Sequence, residues 1–249
     1  MVVLDSSRNL TQQVANELGK AIVKGDYTID SSFPTEAELS SQFATSRSVT
    51  REAVKMLTAK GLISSRPRKG ICVQPASSWN MFDSDVLNWT LNAKPSLELL
   101  KEFNQLRLAI EPEAVALACK NASEIQIAAI GDAMRRISLA EQGNEDPLDA
   151  DIDFHTSILK ASNNRFFIQF CDFIQTALRV SIACTNRLKT VKQPAFTAEH
   201  LPVYECIRER DVEQGKQAMR ATLENAMEII NNSIAEGRKL PEPDGHLVI

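Results

Sequence analysis

The stretch Pro34–Val73, PTEAELSSQFATSRSVTREAVKMLTAKGLISSRPRKGICV, decides how this chain reads. Thr35 and Glu38 stand at capping-box spacing, so a helix is expected over Glu36–Phe43 with Leu39 and Phe43 inward. Ala44 and Thr45 make a turn, and Ser46 caps a longer helix that runs to about Lys60 and stops at Gly61. The apolar positions Val49, Ala53, Val54, Met56 and Leu57 face the preceding helices, while Arg47, Ser48, Thr50, Arg51 and Lys55 form the other face. Leu62–Ser65 and Ile71–Val73 read as short strands joined by Arg66-Pro67-Arg68-Lys69-Gly70, where the glycine permits a positive φ or a close phosphate approach. This is the pattern of a winged helix-turn-helix. Hydroxyls and N–H groups at a helix start suit phosphate oxygens, and arginine suits the O6/N7 edge of guanine. The candidate contacts to double-stranded DNA are Ser46, Arg47, Ser48, Thr50 and Arg51 on the helix, and Arg66, Arg68, Lys69 and Gly70 on the wing.

The charge distribution agrees with a DNA-facing segment. The 249-residue chain carries a formal charge of −4, yet residues 46–70 hold seven Lys/Arg against one Asp/Glu. A cationic stretch inside an acidic chain is what a nucleic-acid face joined to a domain with another task produces. A hydrophobic content of 43% and a charged content of 24% are those of an ordinary globular protein, and the length allows two modest domains. No apolar run reaches membrane-span length, and the first residues lack the pattern of a signal peptide. The five cysteines are scattered, odd in number and without a C-x-x-C pair, which implies reduced thiols in the cytoplasm and no disulfide frame.

Outward from the opening stretch, Leu10, Val14, Leu18 and Ile22 recur every four residues, so a first helix is expected over about Asn9–Lys24. Residues 76–95 form a connector rich in aromatics, containing Trp79, Phe82 and Trp89, with a short helix near Ser84–Leu91. From Leu97 the pattern is helical throughout, with six helices expected: Leu97–Asn121 (disturbed at Pro112), Ser123–Gly143, Pro147–Ser162, Arg165–Asn186, about Leu201–Arg210 and Val212–Gly237. The expected fold is therefore mainly α: a winged helix-turn-helix over 1–75, the connector, a C-terminal all-α bundle over 96–238 and a loose tail over 239–249.

Within the bundle, Asp151 and His155 stand four apart and project from one helix face, about 6 Å apart at Cβ. That spacing can hold a metal ion, but alone it is more often the spacing of a surface ion pair. If the last two helices fold back at Asp211, positions 200 and 222 face each other, which brings His200 toward the same region.

These motifs resemble the GntR family of bacterial transcription factors. Pro34-Thr35-Glu36-Ala37-Glu38-Leu39 matches its P-x-E-x-E-L element, and Ser46-Arg47-Ser48-Val49-Thr50-Arg51-Glu52-Ala53 with Leu57 matches its recognition helix. Gly61-Leu62-Ile63 and Gly70-Ile71-Cys72-Val73 match its wing. Ala37 stands where many members carry an arginine, so one DNA contact is absent. The bundle is similar to the FadR-subfamily effector (FCD) domain, through Arg107 with Glu111-Pro112, Asp151 with Phe154-His155, Asn163-Asn164, and Glu199-His200. The resemblance implies a pocket in which an Asp and three His bind a divalent metal beside a small carboxylate effector, and a homodimer is expected from the economy of symmetric operators. Asp151, His155 and His200 match three of those ligands, and Thr222 stands at the fourth. A threonine hydroxyl is a poor ligand for zinc, so a metal is held by three ligands plus water or effector, or else the effector binds without metal.

The connector Trp79-Asn80-x-x-Asp83-x-Asp85-Val86-Leu87-x-Trp89 is similar to the subgroup that senses sugar acids, which implies an aldonate or uronate as effector. The candidate effector-binding residues are Arg107, Asp151, His155, Arg179, Arg187, His200 and Thr222. Arg107 is the leading cation; Arg179 and Arg187 are as readily surface salt bridges. The function this implies is a repressor released from its operator by the acid. The competing class is a metal-dependent hydrolase using the Asp/His/His set. Against it stand the lack of a nucleophile or general base beside those residues, of a P-loop and of a dinucleotide fingerprint.

Overall fold

A computed structural model describes residues 9–29, 31–66, 70–93, 96–188, 196–238 and 240; the side chains of 66, 180, 182–188 and 196 are outside that description. The chain forms two compact units that divide between Pro95 and Ser96.

The first unit contains α1 (Leu10–Lys24), α2 (Glu36–Gln42), α3 (Arg47–Ala59), β1 (Ile63–Arg66), β2 (Gly70–Val73) and α4 (Ser84–Ala93). Each early helix starts where a short polar side chain meets otherwise orphaned N–H groups. The Asn9 side chain accepts from the backbone of Thr11 and Gln12, Thr35 and Glu38 close a reciprocal capping box, and Ser46 Oγ accepts from Val49 N. The wing strands are antiparallel, pairing Ile63 with Val73 and Arg66 with Gly70. Leu18, Leu39, Leu57, Leu62 and Ile63 fill the core between helices and wing.

The segment read as a connector is part of this unit. Trp89 of α4 is 2% exposed and lies in the same core. Its ring rests where a side chain on Gly19 would be: an added Cβ would stand 2.3 Å from Cζ3. Trp89 Nε1 donates to Asn16 Oδ1 at 2.5 Å. Lys60, which ends α3, bridges Asp83 and Asp85 at 2.7 and 2.9 Å, and its carbonyl accepts from Asn80 N. Two aspartates, an asparagine and a tryptophan thus moor α4 to α1 and to the end of α3.

The second unit contains α5 (Leu97–Asn121), α6 (Glu124–Glu141), α7 (Pro147–Ala161), α8 (Arg165–Gln169), α9 (Cys171–Leu188), α10 (Phe196–Glu209) and α11 (Val212–Ala235). Two expectations are corrected. The helix expected over Arg165–Asn186 is two helices, with α8 capped at Phe170, and α10 begins at Phe196, five residues before Leu201. Pro112 lies buried inside α5 without ending it. α5 packs along α11, α7 lies against α5 and α6, and α10 folds back on α11 at Asp211, whose side chain accepts from Gln214 N. Among the described residues no helix is long and apolar enough to cross a membrane.

Candidate functional site

In the first unit, the start of α3 presents Ser46, Arg47, Ser48 and Arg51 to solvent. Ser46 Oγ and Ser48 Oγ are 2.8 Å apart, and Arg51 Nε donates to Glu36 Oε2 at 3.2 Å. Thr50 does not share this face. It is 0% exposed, and its hydroxyl lies within donating distance of the carbonyls of Glu36 (3.3 Å) and Arg47 (3.1 Å). The helical period explains the correction: Thr50 falls with Ala53, Val54 and Leu57 on the side that packs on α2, so its hydroxyl bonds locally instead of reaching DNA. On the wing, Gly70 has a φ of +73°, a region that favours glycine. Arg68, Lys69 and the side chains of Arg66 and Arg187 lie outside the described residues.

In the second unit, α7 projects Asp151 and His155 inward one turn apart, 5% and 2% exposed, so they are not a surface ion pair. The early start of α10 brings His200, also 2% exposed, to the same point. His200 Nε2 lies 2.9 Å and His155 Nε2 3.5 Å from Asp151 Oδ1. One ligand atom from each residue falls within 4.8 Å of the others. Asp151 Oδ1 is buried yet completes no hydrogen bond. Burial pushes its carboxyl up, but the charges of His200 and His155 hold it well below the usual range, so a carboxylate is what the cluster offers.

A second layer supports the first. Glu111, 1% exposed on α5, places Oε2 2.6 Å from His155 Nδ1, while Arg107 Nε donates to Glu111 Oε1 at 2.6 Å. Arg107 Nη2 lies 3.3 and 3.0 Å from the two nitrogens of His155. A group in the ring plane cannot approach both nitrogens so closely without striking the ring carbons, so the guanidinium lies across the imidazole face. Burial pushes the Glu111 carboxyl up, but Arg107 and His155 hold it down to about 2. Burial pulls His155 down, and Glu111 beside it raises it above its ordinary value overall, against Arg107. A carboxylate on Nδ1 fixes the tautomer that leaves Nε2 as the ligand atom, the second-shell arrangement common to metal-binding histidines. Phe154, fully buried, meets the His200 ring edge to face at 4.9 Å and backs the site with hydrocarbon.

Thr222 stands where the hairpin argument puts it. Its hydroxyl lies 3.0 Å from the carbonyl of Glu199, the residue before His200, and 3.1 Å from that of Ala218. Arg179 is instead paired with Asp149 at 2.9 Å, both partly exposed, and not with any member of the cluster. Arg107 is committed through Nε and Nη2 to Glu111 and His155. Among the described residues, Glu111 contacts the cluster but stands outside the sequence-based set of site residues. Its signal was the spacing of four from Arg107 on a helix turn with apolar neighbours. Two imidazole nitrogens and one carboxylate oxygen, with a satisfied second layer and no fourth protein ligand among the described residues, suit a divalent transition metal with a position left open.

Comparison with known proteins agrees with both halves of this geometry. Residues 10–73 match the family described as bacterial regulatory proteins, gntR family, and residues 102–225 match the FCD domain. The galactonate operon transcriptional repressor of Escherichia coli K12 is 32% identical over 210 residues, covering 84% of this chain and 92% of that protein. The transcriptional repressor NanR of Klebsiella aerogenes is 26% identical over 225 residues, covering 88% and 84%. A solved structure described as Lar, which controls the agr system of Listeria monocytogenes, covers 89% of this chain and 96% of its own with a TM-score of 0.58. At 16% identity it speaks for the fold alone. A winged helix-turn-helix, a helical unit with a buried acid–histidine cluster and a relative matched over most of its length place the chain in one family: it belongs to the gntR-family bacterial regulators with an FCD domain, and is a ligand-responsive DNA-binding transcriptional regulator, not an enzyme.

Proposed function

We propose that the chain is a cytoplasmic homodimeric repressor that leaves its operator when a small sugar acid, an aldonate or uronate, binds at the cluster of Asp151, His155 and His200. The observation that carries this reading is the buried Asp151 Oδ1 with no hydrogen bond beside two imidazoles. That oxygen and the imidazole nitrogens 2.9 and 3.5 Å from it point at one another, an arrangement a shared metal ion would satisfy. Asp151, His155 and His200 would hold a divalent metal ion, which when bound supplies positive charge for a carboxylate. Glu111 orients His155 through Nδ1, Arg107 neutralises Glu111, and Phe154 keeps water from the back of the site. Thr222 leaves the facing position on α11 without a further imidazole, so the fourth ligand would be an oxygen of water or of the effector. The names of the relatives, a galactonate operon repressor among them, support the sugar-acid class. In a dimer, two α3 helices would read half-sites about 34 Å apart, one turn of DNA.

The test uses the full chain and a duplex it selects from a randomised pool, titrated with a panel of aldonates and uronates with and without chelator. One acid should release the wild-type protein. Asp151→Ala and His155→Ala should keep duplex affinity and lose that release, because a ligand shifts an equilibrium only by its differential affinity for the two states. Release of both variants at the wild-type acid concentration would remove the pocket from the reading.

A further inference from the structure

Arg51 does not stand alone on the reading face. Its Nε donates to Glu36 Oε2 at 3.2 Å, with the two side chains 59% and 35% exposed. The same Glu36 is tied to α3 through its backbone: its carbonyl accepts from Thr50 Oγ1, and Thr50 immediately precedes Arg51 in the chain. α2 therefore grips α3 twice at this point, once by backbone and once by side chain. The other nearby acids are engaged elsewhere, since Glu38 closes the capping box with Thr35 and Glu52 pairs with Lys55 at 2.8 Å.

A carboxylate on a surface that meets phosphate weakens binding to every duplex, whatever its sequence. What it can add is discrimination. Guanidinium offers five donors in a flat fork, and a partner on Nε leaves the terminal nitrogens for the O6/N7 edge of guanine. Holding the fork before DNA arrives also removes rotamers that an unsupported arginine would lose on binding.

We infer that Glu36 is a positioning residue for base readout, fixing the Arg51 guanidinium so that sequence preference is gained while sequence-independent affinity is lowered. The inference rests on the reading of Arg51 as a base-contacting residue. The alternative role for Glu36 is structural: it lies in the first turn of α2, where a negative charge complements the helix dipole. That role affects melting temperature and leaves base preference alone.

The experiment measures affinities of the wild type, Glu36→Ala, Glu36→Gln, Arg51→Ala and the double variant that combines Glu36→Ala with Arg51→Ala. Each is titrated with a duplex selected by the wild type, with its single-base-pair variants and with a random duplex. Melting temperatures are recorded alongside. Glu36→Ala should lose about two- to fivefold of discrimination, the size of an exposed ion pair, at the base pair where Arg51→Ala loses most. Its affinity for the random duplex should hold level or rise. Glu36→Gln, which keeps an oxygen acceptor for Nε, should retain more of the discrimination, and it carries the test if the alanine variant loses its fold. The double variant should discriminate no worse than Arg51→Ala, because the pair acts as a unit. Undiminished discrimination in both Glu36 variants, additive losses in the double variant, or equal weakening on all duplexes with a lower melting temperature would each overturn the inference. If Arg51→Ala itself leaves base preference intact, the base-contact reading fails first, and visibly so.

Discussion

Replacing Gly19 with alanine should destabilise the first unit, although alanine is the better helix former. In an exposed helix interior the exchange gains about 1 kcal/mol. Here the new Cβ would lie 2.3 Å from Trp89 Cζ3 and 2.5 Å from Cε3 and Cη2. The ring is 2% exposed and held by Asn16 through its indole nitrogen, so it has little freedom to yield. If it shifts within its seat, overpacking costs about 1–3 kcal/mol. If it leaves, the loss approaches the roughly 3–5 kcal/mol of a buried aromatic truncation. Setting the helix gain against these, a net loss of about 2 kcal/mol is expected, a fall in melting temperature of roughly 8–16 °C for a unit of this size. The chain has two tryptophans, Trp79 and Trp89, both in the first unit, so indole fluorescence follows this unit through heat or urea. The emission of the variant should shift to the red in the folded state as Trp89 loses cover. A Gly19→Ala protein that melts at or above the wild type with unchanged emission would refute the seating of α4 on α1.

Thr50→Val keeps shape and removes a hydroxyl placed against the carbonyls of Glu36 and Arg47, so urea titration should find about 1 kcal/mol less stability. Its duplex affinity should fall much less than that of Arg51→Ala; loss of DNA binding at full stability would put the hydroxyl at the DNA instead. Lys60 gives a pH signature. Burial pulls its ammonium down, but Asp83 and Asp85 raise it overall above 10.5, so its contribution is full below pH 10.5 and fades as pH climbs through the higher folded value. Lys60→Met should therefore flatten the alkaline limb of the stability curve, and an unchanged limb would show that the ammonium carries none of it.

The elements legible in the sequence were those whose partners lie within a turn or two along the chain. The capping box of Thr35 and Glu38, the Ser46 cap, the cap of Asp211 with Gln214 and the spacing of Asp151 and His155 all depend on neighbours three or four residues away. Helical period alone fixes such pairs, which is why the winged helix-turn-helix and the helical bundle could be read without coordinates. Tertiary structure decided the rest. Thr50 shares the helical spacing of Ala53, Val54 and Leu57, but its hydroxyl made it read as a surface residue, and the packing of α2 shows that face to be covered. Exposed Lys55–Glu52 and buried Arg107–Glu111 are both pairs about one helical turn apart, and only the approach of α7 joined the latter to His155. His200 reached Asp151 because α10 begins at Phe196, in a stretch whose pattern gave no start signal that early. Local hydrogen bonds are specified by sequence offset, whereas burial is a property of what else arrives; the chain therefore declared its DNA-reading helix by itself, and left the burial of its acid–histidine cluster to the fold.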